Sequence, residues 1–238
     1  MNRRARTFAA ELLAGAVIGV LGACGGDDGD DDWGDSQGSS QGPDVSQAGQ
    51  VEYACALARH VQDEHGDADS WGEPVGDDAD PAMRETASVA SLLGGSGGFV
   101  LPEHEDLSEL GQDLFKGVIS IDNDTIEDSL DEIVSACQDD DLSASADVSH
   151  SAQIDYACAL AAYVVDEHGG SETWDGIGDE RAWHEAGSVA ALVGALNGQI
   201  LSDHKELSEA GKGIFQGVSR IKTDELDTSL DDFISACP

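Results

Sequence analysis

The sequence predicts an all-α protein, built as two tandem up-down four-helix bundles, each pinned by one disulfide. Three observations carry that expectation. A duplicated stretch makes the repeat the structural unit: laid over each other without gaps, residues 51–71 and 154–174 agree at twelve of twenty-one positions, among them Tyr53-Ala54-Cys55-Ala56-Leu57-Ala58 and Tyr156-Ala157-Cys158-Ala159-Leu160-Ala161. Apolar residues recur at three- and four-residue spacing through both copies, the period of an amphipathic helix. Of the five cysteines, four fall two per repeat, near its beginning and at its end.

The N-terminus reads as a targeting segment, residues 1–23, to be set aside before any fold reasoning. Arg3, Arg4 and Arg6 form a basic region, Leu12 to Leu21 a short apolar run, and Leu21-Gly22-Ala23-Cys24 closes it. That run is too short for a membrane-spanning helix, which needs about twenty apolar residues. The tetrapeptide resembles a bacterial lipobox, like those of the small lipoproteins of Gram-positive actinobacteria. The resemblance implies cleavage before Cys24, lipidation of Cys24, and a location on the outer face of the cytoplasmic membrane. Arg3-Arg4 with Phe8 loosely resembles a twin-arginine export signal, so the export route stays open between two pathways. The resemblance covers only this leader; the duplicated domain brings no family to mind.

An exported chain meets an oxidising space, so its remaining cysteines read as disulfides rather than metal ligands. Net charge sets the other bound. The chain carries a formal −38, and removal of residues 1–23 leaves eight basic against forty-eight acidic residues. Such a surface repels nucleic acid and anionic lipid, which argues against a nucleic-acid partner. It reads as a solvated acidic exterior, with adaptation to high salt as the alternative. Residues 24–50 are rich in Gly, Asp and Ser, with the run Asp27 to Asp32, and should form an extended acidic tether. Stretched out it would span roughly 80 to 90 Å at about 3.3 Å per residue. The spacing of its acids does not fit a calcium-binding EF-hand loop.

Helical repeat 1 is expected over 51–137, a linker over 138–153, and helical repeat 2 over 154–238. In each repeat the first helix carries its cysteine on the apolar stripe and ends in Asp-Glu-His followed by Gly66 or Gly169, a glycine stop. A loop with Trp71 or Trp174 follows; its length differs by three residues between copies, which marks it as exposed. The second helix, near Ala82–Leu93 and Ala182–Leu196, is made of small residues and belongs in an interior. The third carries Leu107, Leu110, Leu114, Val118 and Ile121, matched by Leu207, Ala210, Ile214, Val218 and Ile221. Gly111 and Gly117 lie inside its pattern in both copies, each costing about 1 kcal/mol against Ala, so close contact with a neighbour is the expected reason for them. Asp122 or Asn123 caps the fourth helix, whose stripe ends at Cys137 or Cys237. Up-down topology brings the start of the first helix and the end of the fourth together. The pairing that follows is Cys55–Cys137 and Cys158–Cys237, each worth roughly 4 kcal/mol in the chain-entropy account.

The candidate chemistry is the repeated triplet Asp63, Glu64, His65 and Asp166, Glu167, His168, which could hold a divalent cation. Topology separates His65 from His104 by a helix length, so a two-histidine site between them is not expected. The plainer role for His65 is to sit at its helix C-terminus, favoured by the dipole, beside Trp71. No catalytic residues are assigned: there is no nucleophile elbow, HExxH, CxxC or dinucleotide fingerprint. The chain therefore reads as a membrane-anchored extracytoplasmic lipoprotein acting as a non-catalytic binding or interaction module, with a protein or cell-envelope ligand. No cofactor is predicted beyond a possible divalent cation, and cation binding or buffering through the Asp-Glu-His ends is the alternative. A hydrolase without a recognisable motif is the second alternative.

Overall fold

The structure is a computed structural model that describes residues 42–66, 81–95, 98–140, 142, 145–171, 174 and 180–238. The expected leader 1–23, the expected lipidation site Cys24, most of the expected acidic tether and Trp71 lie outside the described residues. Among the described residues the chain forms eight helices and no strand. Repeat 1 comprises α1 (Gln47–His65), α2 (Pro81–Leu92), α3 (Glu105–Ser120) and α4 (Asn123–Asp139). Repeat 2 comprises α5 (His150–His168), α6 (Glu180–Leu192), α7 (Lys205–Arg220) and α8 (Thr223–Ala236). No described helix is long and apolar enough to cross a membrane.

Each repeat closes into a bundle, α1 packing on α2 and α4, and α3 on α2 and α4, with the same arrangement in α5–α8. Cys55–Cys137 and Cys158–Cys237 are both formed, with Cα atoms 5.8 and 5.9 Å apart. The two bridges differ in surroundings. Cys55 and Cys137 are buried, whereas Cys158 and Cys237 are half-buried, because α8 ends at Ala236 and leaves Cys237 just beyond the helix.

The first helix of each repeat starts earlier than Val51 or Ile154, and its start is set by a motif written twice: Asp44-Val45-Ser46 and Asp147-Val148-Ser149. Each aspartate Oδ1 accepts the serine N–H at 2.9 Å. Each serine Oγ then caps the helix, accepting the N–H of Gly49 at 3.2 Å or of Ala152 at 3.4 Å. At the other end, Gly66 and Gly169 have φ of 68° and 71°, the left-handed region that stops a helix cheaply only at glycine.

The glycines of α3 and α7 are there for close packing. A Cβ on Gly111 would lie 2.6 Å from the Leu93 Cβ, and one on Gly211 would lie 2.4 Å from Val193 Cγ2. A Cβ on Gly217 would meet Leu226 Cβ at 2.8 Å. These contacts draw α3 and α7 onto the ends of α2 and α6, and α7 onto α8. The turn between α3 and α4 places Ile121 at φ 56°, and Ile221 repeats it at 53°, an uncommon conformation for a β-branched residue.

The second helix is interior, though not to its own bundle alone. Every residue of α2 from Ala82 to Leu92 is buried, and α2 packs against α6 of the other repeat. Burying the polar members of such a helix requires internal partners. Thr86 Oγ1 donates to Ala82 O, Ser88 Oγ to Arg84 O and Ser188 Oγ to His184 O, each one turn back. The charged members, Arg84 and Glu85, find theirs across the boundary between the repeats.

Candidate functional site

The repeats meet through reciprocal contacts, the mark of a two-fold interface. Tyr53 stacks on Tyr156, its own counterpart, with ring centroids 3.8 Å apart and planes 12° from parallel. Gln50 donates from Nε2 to Glu185 Oε1 at 3.0 Å, and its counterpart Gln153 donates to Glu85 Oε1 at 2.8 Å. The same amides also donate to Val45 O and Val148 O, tying the start of each first helix to the interface.

Symmetry is broken first at positions 84 and 184. Arg84 donates from Nη1 to Gln153 Oε1 at 2.6 Å and to Leu192 O at 3.1 Å, and from Nη2 to Glu85 Oε1 at 3.1 Å. Burial pulls its guanidinium below the ordinary value, and Glu85 opposes that pull. Its counterpart is His184, 1% exposed and stacked on Phe99 at 5.1 Å. Neither ring nitrogen of His184 makes a hydrogen bond of good geometry among the described residues, although the Leu92 carbonyl lies near enough to favour its protonation. Burial dominates and pushes this imidazole down to about 4, with Arg181 acting in the same direction.

From Glu85 and Glu185 the network runs outward to the ends of the first helices. His65 Nε2 lies 3.1 Å from Glu85 Oε2, and His60 Nε2 lies 3.6 Å from the same oxygen. The carboxylate is buried, while the imidazoles of His60 and His65 are 31% and 25% exposed. Ligand atoms of His60, His65 and Glu85 all fall within 4.8 Å of one another. The other oxygen of Glu85 is held by Arg84 and Gln153, which fixes the carboxylate in place. Oriented carboxylates of this kind are what metal sites use to set a ligand's direction.

Repeat 2 solves the same position differently. His168 Nε2 meets Glu185 Oε2 at 2.7 Å, but where repeat 1 has His60, repeat 2 has Tyr163. Arg181 fills the gap, donating from Nε to Glu185 Oε1 at 2.9 Å and from Nη2 to the Tyr163 hydroxyl at 2.6 Å. Its counterpart in repeat 1 is Pro81, which brings no charge. A fixed cation thus sits between the glutamate and residue 163 in one repeat, and the corresponding place in the other is lined by two imidazoles and a carboxylate.

Of the triplets read from the sequence, only the histidines join this site. Asp63, Glu64, Asp166 and Glu167 are exposed and are not among the groups within ligand distance of Glu85. His65 turns inward to Glu85 instead of only closing its own helix. In repeat 2 the neighbour expected of that histidine is present: His168 meets Trp174 edge-on, and the indole Nε1 donates to His168 O and Gly169 O, capping α5. His104 lies near Asp140, 3.7 Å away, at the end of the bundle where α4 finishes. His204 lies beside His150, ring centroids 5.9 Å apart.

His60 and Glu85 were missed by reading the repeats for what they share. His60 is replaced by Tyr163, so the duplication hides it. Glu85 did carry a signal: a carboxylate in a helix of Ala, Ser and Val has to be satisfied by something. Comparison of the chain with family models, with curated proteins and with solved structures finds no match.

Proposed function

We propose that this protein is an exported, lipid-anchored, non-catalytic binding module whose repeat 1 binds a divalent transition metal through His60, His65 and Glu85. The observation that carries the reading is the pair of repeats compared at one position: Arg181 supplies a built-in cation beside Glu185, while the equivalent place in repeat 1 is lined by two imidazoles and a carboxylate within 4.8 Å of one another. Two nitrogen ligands and one oxygen suit zinc better than calcium or magnesium, which prefer all-oxygen shells. Three protein ligands leave a tetrahedral ion one position for water or an external ligand. The lipid anchor rests on Leu21-Gly22-Ala23-Cys24, and the acidic segment after it would hold the bundles away from the membrane.

Thermal unfolding of the purified protein with and without zinc tests this reading. Zinc at a hundred times its dissociation constant should add about 2.7 kcal/mol. That gain should vanish in His60→Gln and persist in His168→Gln, which alters the repeat where Arg181 and Tyr163 stand in place of Pro81 and His60. A zinc response that His60→Gln leaves unchanged, or an equal response to calcium, would assign the effect to the acidic surface and end the proposal.

A further inference from the structure

The carboxylate at the centre of the candidate metal site in repeat 1 is held from across the boundary between the repeats. Gln153, in the first turn of α5, is fully buried, and its amide has an NH₂ donor and a carbonyl acceptor to satisfy. Nε2 donates to Glu85 Oε1 at 2.8 Å and to Val148 O at 2.7 Å, and Oε1 accepts from Arg84 Nη1 at 2.6 Å. Two acceptors on one side and a guanidinium on the other fix which way this amide points.

The consequence falls on Arg84. A guanidinium beside a carboxylate frequently takes both of its oxygens through two parallel N–H donors. Here Nη1 is engaged by two acceptors of repeat 2, Gln153 Oε1 and, at 3.1 Å, Leu192 O, and Nη2 reaches Glu85 only at Oε1. Oε1 therefore carries Arg84 and Gln153 together, while Oε2 is turned to His65 and His60 at 3.1 and 3.6 Å. Without the Gln153 amide, Nη1 loses its shortest bond and Oε1 loses a donor. The last torsion of a glutamate is soft, so its carboxylate can then turn and give both oxygens to the guanidinium. The second of those oxygens is the one a metal ion needs.

We propose that repeat 2 sets the metal affinity of repeat 1 through Gln153, which occupies Arg84 and pins Glu85 Oε1 so that Oε2 is kept for the ion. The inference rests on the metal reading above and gives that site its control. Gln153 is a positioning residue, not a ligand. Metal binding and the contact of Gln153 with α2 are linked, and linkage runs both ways: a bound ion tightens the contact between the repeats, and a loosened contact releases the ion. Pseudo-symmetry supplies a matched comparison. Gln50 donates to Glu185 Oε1 at 3.0 Å and to Val45 O at 3.0 Å, as Gln153 does to Glu85 and Val148. Position 184, however, carries histidine where position 84 carries arginine, and Glu185 faces His168 and Arg181 instead of two imidazoles. Gln50 thus makes the same interface bonds with no metal site to control.

The test is zinc titration of the full protein, stripped of metal and read against a competing chromophoric chelator, for the native chain, His60→Gln, Gln153→Met and Gln50→Met. Methionine matches glutamine in length and brings no donor. Gln153→Met should weaken zinc binding by about 10- to 100-fold, the usual cost of losing a group that orients a ligand, while Gln50→Met should leave the affinity within error of the native chain. Gln153→Asn, whose amide stops one methylene short, should lose affinity in the same direction with less damage to the fold, and it decides the matter if Gln153→Met does not fold. Cobalt(II) in place of zinc adds a readout that packing damage does not move: at saturating metal the visible absorption bands should change in the Gln153 variants and match the native chain in Gln50→Met. Adding Arg84→Met to Gln153→Met removes the competing guanidinium and should recover part of the lost affinity. Zinc affinity unchanged in the Gln153 variants, or weakened as much in Gln50→Met, would overturn the proposal, as would a further loss on removing Arg84; native binding that His60→Gln abolishes would still leave the metal reading standing. A native chain that binds no zinc, or binds it equally in His60→Gln, would overturn both.

Discussion

His184 should make the fold sensitive to acid in a way that one substitution removes. Its imidazole is buried against Phe99 and held at about 4, whereas in the unfolded chain it titrates near the ordinary value, about 6.5. Between those two values the unfolded chain takes up a proton that the folded chain refuses. The stability due to neutral His184 is therefore fully present above the unfolded value and is lost as pH falls towards 4. Between pH 7 and pH 5 the loss from this one group comes to about 2 kcal/mol. The assay is urea unfolding at both pH values for the native chain and for His184→Phe, which keeps an aromatic ring on Phe99 and cannot take a proton. The carboxylates that crowd the surface shift with pH in both proteins alike, so they cancel in the difference. Stability should fall by about 2 kcal/mol more in the native chain than in the variant. Equal changes in the two proteins would refute the buried, neutral state of His184.

Two further expectations concern the backbone. Gly211→Ala places a methyl group 2.4 Å from Val193 Cγ2 and should cost about 1–3 kcal/mol through overpacking; a midpoint in chemical denaturation within error of the native chain would show that α7 can move off α6. Ile121→Gly removes a β-branched residue from φ 56°, where it is also 52% exposed. Relief of a strain of roughly 1–2 kcal/mol, partly offset by the greater freedom of glycine in the unfolded chain, should leave the variant at least as stable, and a clear loss would place Ile121 in a contact that the exposure does not reveal.

The helices and their disulfides were legible because they depend on local periods and on a count. A stripe at helical spacing that ends in cysteine, in a chain with short connections, leaves few ways to pair four cysteines. Gly111 and Gly211 likewise advertised a close neighbour by their cost in a helix. The interface was not legible. Arg84, Glu85, Gln50 and Gln153 are residues that normally face water, and only the packing of α2 on α6 reveals that they satisfy one another. The repeated Asp-Glu-His drew attention to the acids, yet Asp63 and Glu64 are exposed and only the histidine turns in. His60 stayed hidden for the opposite reason: a comparison of repeats rewards what is shared, and this site depends on a difference.

A dimer of two identical chains must put the same side chain on both sides of its axis, so any change at position 84 or 60 is made twice or not at all. Here the two partners are joined in one polypeptide, and each position on the axis can be set independently. Arg84 can hold the polar network from one side while His184 stacks on Phe99 from the other. Likewise His60 can face Glu85 while Tyr163 and Arg181 close the matching place. Covalent fusion also makes the pairing of the halves independent of protein concentration. The duplication thus gives this chain two drafts of one site, free to be edited apart.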